Sequence, residues 1–394
     1  MAEPAITALV HTPQGLAGQL RRDNEYQFDF APSATPECAP ALGMTLNLRA
    51  NRQHELHPIF QMNMPEGFVL EQMRSRLSMT AGVDPLRLLT VAGSHDPIGR
   101  LCFTQDGHGA MPDRPEGVRL ADLLSKGGST AQFARLLDHY LLSTCISGVQ
   151  PKVLVPEQST QSLIVKSGLD AFPGLAINEF VCMSIVRSAG VPVPEFHLSG
   201  DGELFVMRRF DRPADGRILG FEDMLALAGR STEQKYTGSY ELVLRLLKLY
   251  CSPEHLPAAR QQLFDMVVLS CLLDNGDAHM KNFGVLYDGI AGAVRMAPAY
   301  DIVCTRVYIP EDNLALDLAG NRSFFAARVG LIDFAARCDI PRTQAIARIC
   351  ELAQLALDSV ESLAGQVQRL PGLREVIEKE ARLHLQTFTR SNHA

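Results

Sequence analysis

The segment Asp274-Asn275-Gly276-Asp277-Ala278-His279-Met280-Lys281-Asn282 decides how this 394-residue sequence is interpreted. It follows an apolar stretch at 263–273 that has helical spacing. A short apolar stretch at 283–287, typical of a strand, comes directly after it. The segment is therefore predicted to be a polar loop between a buried helix and a strand.

The polar side chains of this loop suit the transfer of a phosphoryl group. That reaction needs a carboxylate to orient the attacking hydroxyl and oxygen ligands to hold Mg²⁺ against the phosphates. Asp277 is the candidate base, and Asn282, five residues later, is a candidate magnesium ligand. Lys281 or His279 would steady the γ-phosphate or the loop itself.

A predicted hairpin after the loop brings a second acidic residue into the argument. The stretches 283–287 and 293–297 flank the turn Asp288-Gly289-Ile290-Ala291-Gly292. A hairpin returns the chain to its starting point, so Asp301 is expected beside Asn282 as a second magnesium ligand. The alternative is a turn with a capping aspartate and an ion pair buried at Asp301.

The half of the chain before this loop contains candidate phosphate-binding residues. Lys166 ends a predicted strand at 163–165, and Glu179 begins a predicted helix at 178–189. Such a pair would position the lysine for ATP phosphates, although a lone Lys and Glu are usually surface residues. The loop Ser147-Gly148-Val149-Gln150-Pro151-Lys152 would cover the phosphates with its amides and its lysine, or be an ordinary turn.

The order of predicted elements indicates an α+β protein with a two-lobed, protein-kinase-like fold. A β-rich N-terminal subdomain is predicted at 1–110, and residues 105–117, rich in Gly, Pro and Asp, are its linker candidate. A nucleotide-covering lobe is predicted at 120–215, with strands at 148–155, 163–165 and 204–207. A mostly α-helical lobe that carries the catalytic loop is predicted at 216–394, with helices at 242–250, 258–273, 344–370 and 373–388.

The composition argues against several classes of protein and site. The net charge of −7 argues against a protein that grips DNA by itself. There is no apolar run long enough to span a bilayer and no signal-peptide pattern, so a cytoplasmic location without membrane insertion is expected. The nine cysteines form no C-x-x-C pair, which makes a zinc site or a disulfide framework an unfavoured interpretation.

At these residues the chain resembles the HipA family of serine/threonine kinase toxins. The resemblance spans about 145–303 in the family's order, and Met64-Pro65-Glu66-Gly67 resembles a piece of its N-terminal subdomain. The matching segments are Ser147-Gly148-Val149-Gln150-Pro151-Lys152, Ile164-Val165-Lys166, Asn178-Glu179, Arg209-Phe210-Asp211-Arg212, Glu222-Asp223, Lys235-Tyr236, Asn275 to Asn282 and Tyr300-Asp301-Ile302.

The resemblance implies roles for individual residues, with ATP and Mg²⁺ as cofactors. Asp277 would be the catalytic aspartate, Asn282 and Asp301 the magnesium ligands, and Lys166 the phosphate lysine. The remaining implied nucleotide-binding residues are the loop residues Ser147, Gly148, Val149, Gln150, Pro151 and Lys152, the hinge residues Arg208, Arg209 and Phe210, and the lining residues His279, Met280, Lys281 and Tyr300.

Partners and regulation also follow from the resemblance. It implies a protein substrate, in known cases an aminoacyl-tRNA synthetase. It also implies a helix-turn-helix antitoxin (HipB-like) as partner, and the chain would contact DNA only indirectly, through that partner. Family members often carry an autophosphorylated serine just before the phosphate-covering loop, where this chain has Cys145. Ser147 is therefore the candidate for autophosphorylation, which would add about −2 charge beside ATP phosphates.

Two other functions stay open at the level of sequence. The Asp-x-His-x-x-Asn spacing is shared with aminoglycoside- and choline-type small-molecule kinases. The chain could also be a non-catalytic scaffold for a helix-turn-helix repressor, although Asp277, Asn282, Asp301 and Lys166 together argue against a decayed site.

Overall fold

The computed structural model describes most of the chain. The described residues are 7–44, 46, 50–76, 84–94, 96–105, 115–125, 127–143, 146, 148, 150–158, 161–169 and 172–390. The predictions for Cys145, Ser147 and Val149 lie outside these residues, as do most of the strand predicted at 44–49 and most of the linker candidate at 105–117.

An antiparallel five-stranded sheet forms the N-terminal unit. Its strands are β1 (Thr7–Thr12), β2 (Gly15–Arg22), β3 (Tyr26–Phe30), β4 (Ala50–Gln53) and β5 (Cys102–Gln105), in the order β4-β3-β2-β1-β5. Every second residue of β1 is buried, as expected when one face of a strand lies on a core. The helices of this unit are α1 (Pro58–Gln61), α2 (Gly67–Arg76) and α3 (Pro85–Ala92). Apolar residues of α1 and α3 pack on the buried face, whereas those of α2 pack towards the next unit.

A four-stranded antiparallel sheet organises the second unit. Its elements are α4 (Leu120–Leu123), α5 (Ser129–Tyr140), β6 (Lys152–Pro156), β7 (Ser162–Lys166), α6 (Leu175–Ser188), β8 (Phe196–Leu198) and β9 (Phe205–Arg208), with strand order β6-β7-β9-β8. All residues of β6 and β7 are buried, because α6 covers one face of the sheet and α5 covers the other. The strand predicted at 148–155 begins only at Lys152, since Gly148 has a φ of +113° and Pro151 has no amide hydrogen to donate.

The last unit is mostly helical, with one small sheet. Its elements are β10 (Gly220–Asp223), α7 (Met224–Leu227), α8 (Tyr240–Tyr250), α9 (Leu256–Leu272), β11 (Gly284–Tyr287), β12 (Val294–Met296), α10 (Phe324–Arg337), α11 (Arg342–Ser362), α12 (Ala364–Val367) and α13 (Leu373–Arg390). The sheet has the order β10-β11-β12. Side chains cap two helices: Asp223 accepts from Ala226 N at 2.7 Å, and Ser239 accepts from Leu242 N at 3.2 Å.

Two helix predictions for this unit were incomplete. The single helix predicted at 344–370 is two helices, because Leu363 leaves helical geometry with φ −99° and ψ 22°. Helix α10 was not predicted at all. Its exposed face carries Phe325 and Val329, which are 76% and 71% exposed, so the apolar periodicity that marks a surface helix is lost.

The three units share cores, and this positions the cleft between them. Phe221 and Leu286, from the small sheet of the helical unit, belong to the same apolar cluster as the N-terminal sheet.

The predicted fold class, α+β with a β-rich N-terminal region and a helical C-terminal region, is confirmed. The domain boundaries 1–110, 120–215 and 216–394 stay predictions. No helix in the described ranges has the length and apolarity needed to cross a lipid bilayer.

Candidate active site

A cleft between the three units collects the polar residues singled out in the sequence. About 960 Å³ of space lies between its walls, its open mouth included, which suits a nucleotide-sized ligand. Its lining residues are Met62, Glu66, Ile98, Ile146, Gly148, Gln150, Lys152, Ile164, Lys166, Met207, Arg209, Phe210, Asp211, Phe221, Asp223, Lys235, Asp277, His279, Lys281, Asn282, Tyr300 and Asp301.

Lys166 lies at the centre of a buried charge cluster. Its Nζ is 2.6 Å from Glu179 Oε1 and 2.6 Å from Asp301 Oδ1, so the ion pair expected with Glu179 is present. The strand β7 supplies Lys166, and the helix α6 supplies Glu179. Burial alone would raise the pKa of Asp301, but Lys166 and Lys152 outweigh it and hold that pKa well below its usual range. Asp301 is therefore a carboxylate at neutral pH.

The hairpin returns Asp301 to the polar loop, as the sequence predicted. Strands β11 and β12 pair with Val285 opposite Met296 and Tyr287 opposite Val294. Asn282 Nδ2 donates to the carbonyl oxygens of Asp277 at 2.8 Å and of Asp301 at 3.4 Å. Asp301 has a φ of +59°, a left-handed conformation that is rare outside glycine and frequent at functional sites.

The oxygens around Asn282 and Asp301 fit a divalent cation. Because Asn282 Nδ2 donates to two carbonyls, the amide is oriented with Oδ1 away from them, and no described residue donates to that oxygen. Asp301 likewise uses only Oδ1 for Lys166. Mg²⁺ prefers such oxygen ligands and normally completes its shell with phosphates and water. No three His, Cys, Asp or Glu side chains converge on one metal position in the described part of the chain. A cation here would therefore depend on Asn282, Asp301 and a bound phosphate.

Asp277 lies on the neighbouring side of the loop, where its carboxylate is 29% exposed. Tyr236 OH donates to Asp277 Oδ1 at 2.5 Å, and His279 Nε2 is 3.9 Å from the same oxygen. Burial raises the pKa of Asp277, which makes it a stronger proton acceptor than an exposed aspartate. Burial lowers the pKa of His279 to about 3, so this ring is neutral at physiological pH.

Lys281 is held from two sides. Its Nζ lies 2.5 Å from Glu66 Oε1, and its carbonyl accepts from Tyr300 OH at 2.5 Å. The partner of the Lys281 ammonium therefore comes from the N-terminal unit. The neighbouring Met280 is buried, does not line the cleft and donates through its backbone N to Lys235 O at 3.1 Å.

The described part of the loop before β6 brings Lys152 into the cleft. Gly148 has a φ of +113°, which favours glycine, and a Cβ placed there would lie 2.4 Å from Lys152 Nζ, so a side chain at this position would push the lysine aside. Burial lowers the pKa of Lys152 to about 8, although the nearby Asp301 opposes the shift. Gln150 also lines the cleft, whereas Pro151 does not and accepts from Ser167 N at 3.1 Å.

The three predicted hinge residues have different environments. Phe210 lines the cleft, with its ring 5.4 Å from Tyr300 and 5.3 Å from Phe221, which gives an apolar wall for a flat base. Arg209 is buried and bonds Asp211 through Nε at 2.9 Å and Nη2 at 2.6 Å. Arg208 does not line the cleft, because its guanidinium pairs with Glu157 and Glu195 on the other face of β9.

Several residues of the site were not given a role from the sequence. Glu66, Met62 and Ile98 come from the N-terminal unit, and of these three only Glu66 lay in a segment that carried the family resemblance. Asp223 and the Lys235-Tyr236 pair lay in segments that carried the family resemblance, which was the available signal.

Comparisons with known proteins agree with this geometry. The family model of the HipA-like C-terminal domain matches residues 144–360, which is more than half of the chain. The model of the HipA N-terminal domain matches residues 8–104. The chain belongs to the HipA family.

Three relatives of this HipA-family chain carry kinase names. "Putative kinase Y4dM" of Sinorhizobium fredii is 28% identical over an alignment of 301 residues, and the match covers 68% of this chain and 67% of that protein. "Putative kinase" of Haemophilus influenzae is 30% identical over 41% of this chain and 53% of the relative. "Putative kinase Y4mE" of Sinorhizobium fredii is 30% identical over 50% of this chain and 47% of the relative.

A solved structure shares the fold. The HipA of Shewanella oneidensis, in a complex described as HipA, HipB and its operator DNA, superposes with a TM-score of 0.68. The match covers 97% of both chains at 18% sequence identity. The family fold thus extends over the N-terminal sheet, the second sheet and the helical unit.

Proposed function

We propose that this HipA-family chain is an ATP- and Mg²⁺-dependent serine/threonine protein kinase that acts as the toxin of a toxin–antitoxin module. It transfers the γ-phosphate of ATP to a cytoplasmic protein, with an aminoacyl-tRNA synthetase as the candidate target, and so inhibits growth. The supporting observation is the convergence of Lys166, Asn282 and Asp301 at one corner of the cleft, with Asp277 on the same polar loop as Asn282.

The apolar wall of the cleft would bind the base of ATP, and its basic wall would bind the phosphates. The base would pack against Phe210, Tyr300 and Phe221, and the hinge backbone beside Phe210 would meet its edge. Lys166 would contact the phosphates from its anchor on Glu179, and Lys152 and Gln150 would cover them from above. Gly148 permits that approach because it has no side chain.

The residues of the polar loop would carry out the transfer. Asn282 and Asp301 would hold Mg²⁺, which when bound supplies positive charge against the phosphate oxygens. Asp277 would orient the serine or threonine hydroxyl of the substrate and accept its proton, for which its raised pKa is suited. Lys281 would neutralise charge on the transferred group, and the neutral His279 would support the loop.

The proposed partner is a helix-turn-helix antitoxin of the HipB type. The Shewanella oneidensis HipA occurs with HipB and operator DNA, and the shared fold extends this possibility to the present chain. An acidic chain with a net charge of −7 would meet DNA through such a partner rather than alone. Autophosphorylation of Ser147, which lies outside the described residues, stays a hypothesis.

The deciding experiment uses the purified chain with γ-labelled ATP, Mg²⁺ and a bacterial lysate. We expect labelled protein bands with the wild type, and none with Asp277→Asn. The matched control is Asp333→Asn, since Asp333 is an exposed aspartate on α10. Expression of the same three chains should give growth inhibition for the wild type and the control only.

Two results would contradict the proposal. A labelled small metabolite in place of a labelled protein would indicate a small-molecule kinase of the aminoglycoside or choline type. Growth inhibition that Asp277→Asn leaves intact, with no label transferred, would indicate a non-catalytic scaffold for a repressor.

A further inference from the structure

We infer that Tyr236 is a positioning residue for phosphoryl transfer. Its hydroxyl holds one oxygen of the Asp277 carboxylate and so leaves the other oxygen to meet the hydroxyl of the substrate. The inference rests on the proposed function, because it assigns the residue that orients the proposed catalytic aspartate.

The contact between the two side chains is specific. Tyr236 OH lies 2.5 Å from Asp277 Oδ1, a distance typical of a hydroxyl that donates to a carboxylate. Among the described residues, this hydroxyl is the only hydrogen-bond donor to the side chain of Asp277. The ring of His279 does not replace it, because 3.9 Å is too long for a hydrogen bond.

The polar loop itself holds Tyr236 in place. The backbone N of Met280 donates to Lys235 O at 3.1 Å, one residue before the tyrosine. On the other side, Arg322 Nη2 donates to Tyr236 O at 2.8 Å. The tyrosine ring stands edge-on to His279, with ring centroids 5.1 Å apart. Because both the backbone and the ring of Tyr236 are held, its hydroxyl can fix the orientation of the Asp277 carboxylate.

Asp277 needs such a partner because its own torsion is loosely defined. The terminal torsion of an aspartate has a broad energy minimum, so the carboxylate can turn unless a neighbour holds it. Its backbone is fixed by Asn282 Nδ2, which donates to Asp277 O at 2.8 Å, but this contact leaves the carboxylate free to rotate. Misplacement of a reacting group by about 1 Å can cost on the order of a hundredfold in rate.

Tyr236 acts beside the nucleotide rather than on it. It does not line the cleft, and the residue is 40% exposed to solvent. Loss of its hydroxyl should therefore leave ATP binding intact and slow the transfer step.

The test compares Tyr236→Phe, Tyr308→Phe and the wild type. Each is assayed with ATP, Mg²⁺ and the purified, unphosphorylated form of a protein that the wild type labels in the lysate. Tyr308 is the matched control, because its hydroxyl donates to Pro173 O at 3.2 Å away from the loop. We expect Tyr236→Phe to lower kcat on the order of tenfold, with the KM for ATP and the thermal midpoint unchanged. Tyr308→Phe should match the wild type in all three quantities.

Three outcomes would overturn the inference. An unchanged or higher kcat for Tyr236→Phe would show that the hydroxyl does not position Asp277. A rise in the KM for ATP with no loss of kcat would show a role in nucleotide binding. Phosphate on Tyr236 in the wild type, found by peptide mapping, would show that the phenol occupies the acceptor position instead. If the wild type transfers no phosphate at all, the proposed function fails first and the inference with it.

Discussion

Glu66 and Lys281 join the N-terminal unit to the polar loop across 215 positions of sequence. Glu66 Oε1 lies 2.5 Å from Lys281 Nζ, and the two side chains are only 16% and 9% exposed. Salt screens the attraction between two such partly buried side chains less than that of a surface pair. The N-terminal unit therefore contributes a charged residue to the site.

Replacing Glu66 by Gln should slow the proposed kinase. Lys281 would keep a hydrogen-bond partner but lose its charge partner and its fixed position. We expect kcat/KM for ATP to fall by about tenfold, which corresponds to about 1.4 kcal/mol. Steady-state kinetics at saturating protein substrate measures this. Glu71→Gln on α2 is the control, since Glu71 is exposed. Equal values for all three chains would show that the pair is only structural.

Binding of ATP should depend on Mg²⁺ through Asp301. In the wild type, ATP at about 100 times its Kd should stabilise the fold by about 2.7 kcal/mol, and EDTA should remove most of this effect. In Asp301→Asn the effect of Mg²⁺ should vanish, because a cation ligand and its charge are lost. Thermal unfolding with ATP, with and without EDTA, measures this for each chain against its own ligand-free state.

The control for the magnesium experiment is Asp288→Asn. Asp288 lies on the turn of the same hairpin, where it is exposed and pairs with Arg217. It should respond to Mg²⁺ as the wild type does. A full Mg²⁺ effect in Asp301→Asn would contradict the proposed ligand.

Sequence reasoning located the part of the site that depends on local geometry. The hairpin between Asn282 and Asp301 follows from two short apolar stretches and a glycine-bearing turn, and strand pairing then determines where Asp301 lies. The pair of Lys166 and Glu179 follows from a strand and a helix that succeed each other in the chain. In both cases the contact is set by neighbouring elements.

The remaining part depends on packing between distant elements. No local pattern indicates that Glu66 meets Lys281, because that contact follows from the docking of the N-terminal sheet on Phe221 and Leu286. Tyr236 meets Asp277 for the same kind of reason, since it lies 41 positions away on another loop. The sequence also did not indicate the direction of the Arg208 side chain. Side chains alternate along β9, and Arg208 lies on the face opposite the cleft, where it pairs with Glu157.

The affinity for ATP should fall as pH rises through about 8. Burial lowers the pKa of Lys152 to about 8, although Asp301 opposes the shift. Below that pH the protonated lysine attracts phosphate, and above it the neutral amine does not. Titration calorimetry between pH 7 and 9.5 should give a rising Kd for the wild type.

Lys152→Arg is the matched variant for this experiment, because a guanidinium stays charged over the whole range. Its Kd for ATP should be nearly independent of pH. A wild-type Kd that does not change across pH 8, or an equal slope in the variant, would show that Lys152 does not contact the phosphates.

Asp211→Asn should destabilise the fold more than a surface substitution does. The Asp211 carboxylate accepts both Arg209 nitrogens and also Gly99 N at 2.8 Å, which ties the hinge to the N-terminal unit. The neutral amide would remove one of the two carboxylates that face the buried guanidinium of Arg209, while Asp96, 3.0 Å from Arg209 Nη1, would stay in place. Loss of a hydrogen bond to a charged group typically costs about 1.5–3 kcal/mol. Urea denaturation should show a loss of this size in the free energy of unfolding. Asp215→Asn, at an exposed pair with Arg217, should lose less than about 1 kcal/mol. Losses of equal size in the two variants would mean that this buried network contributes no more than a surface ion pair.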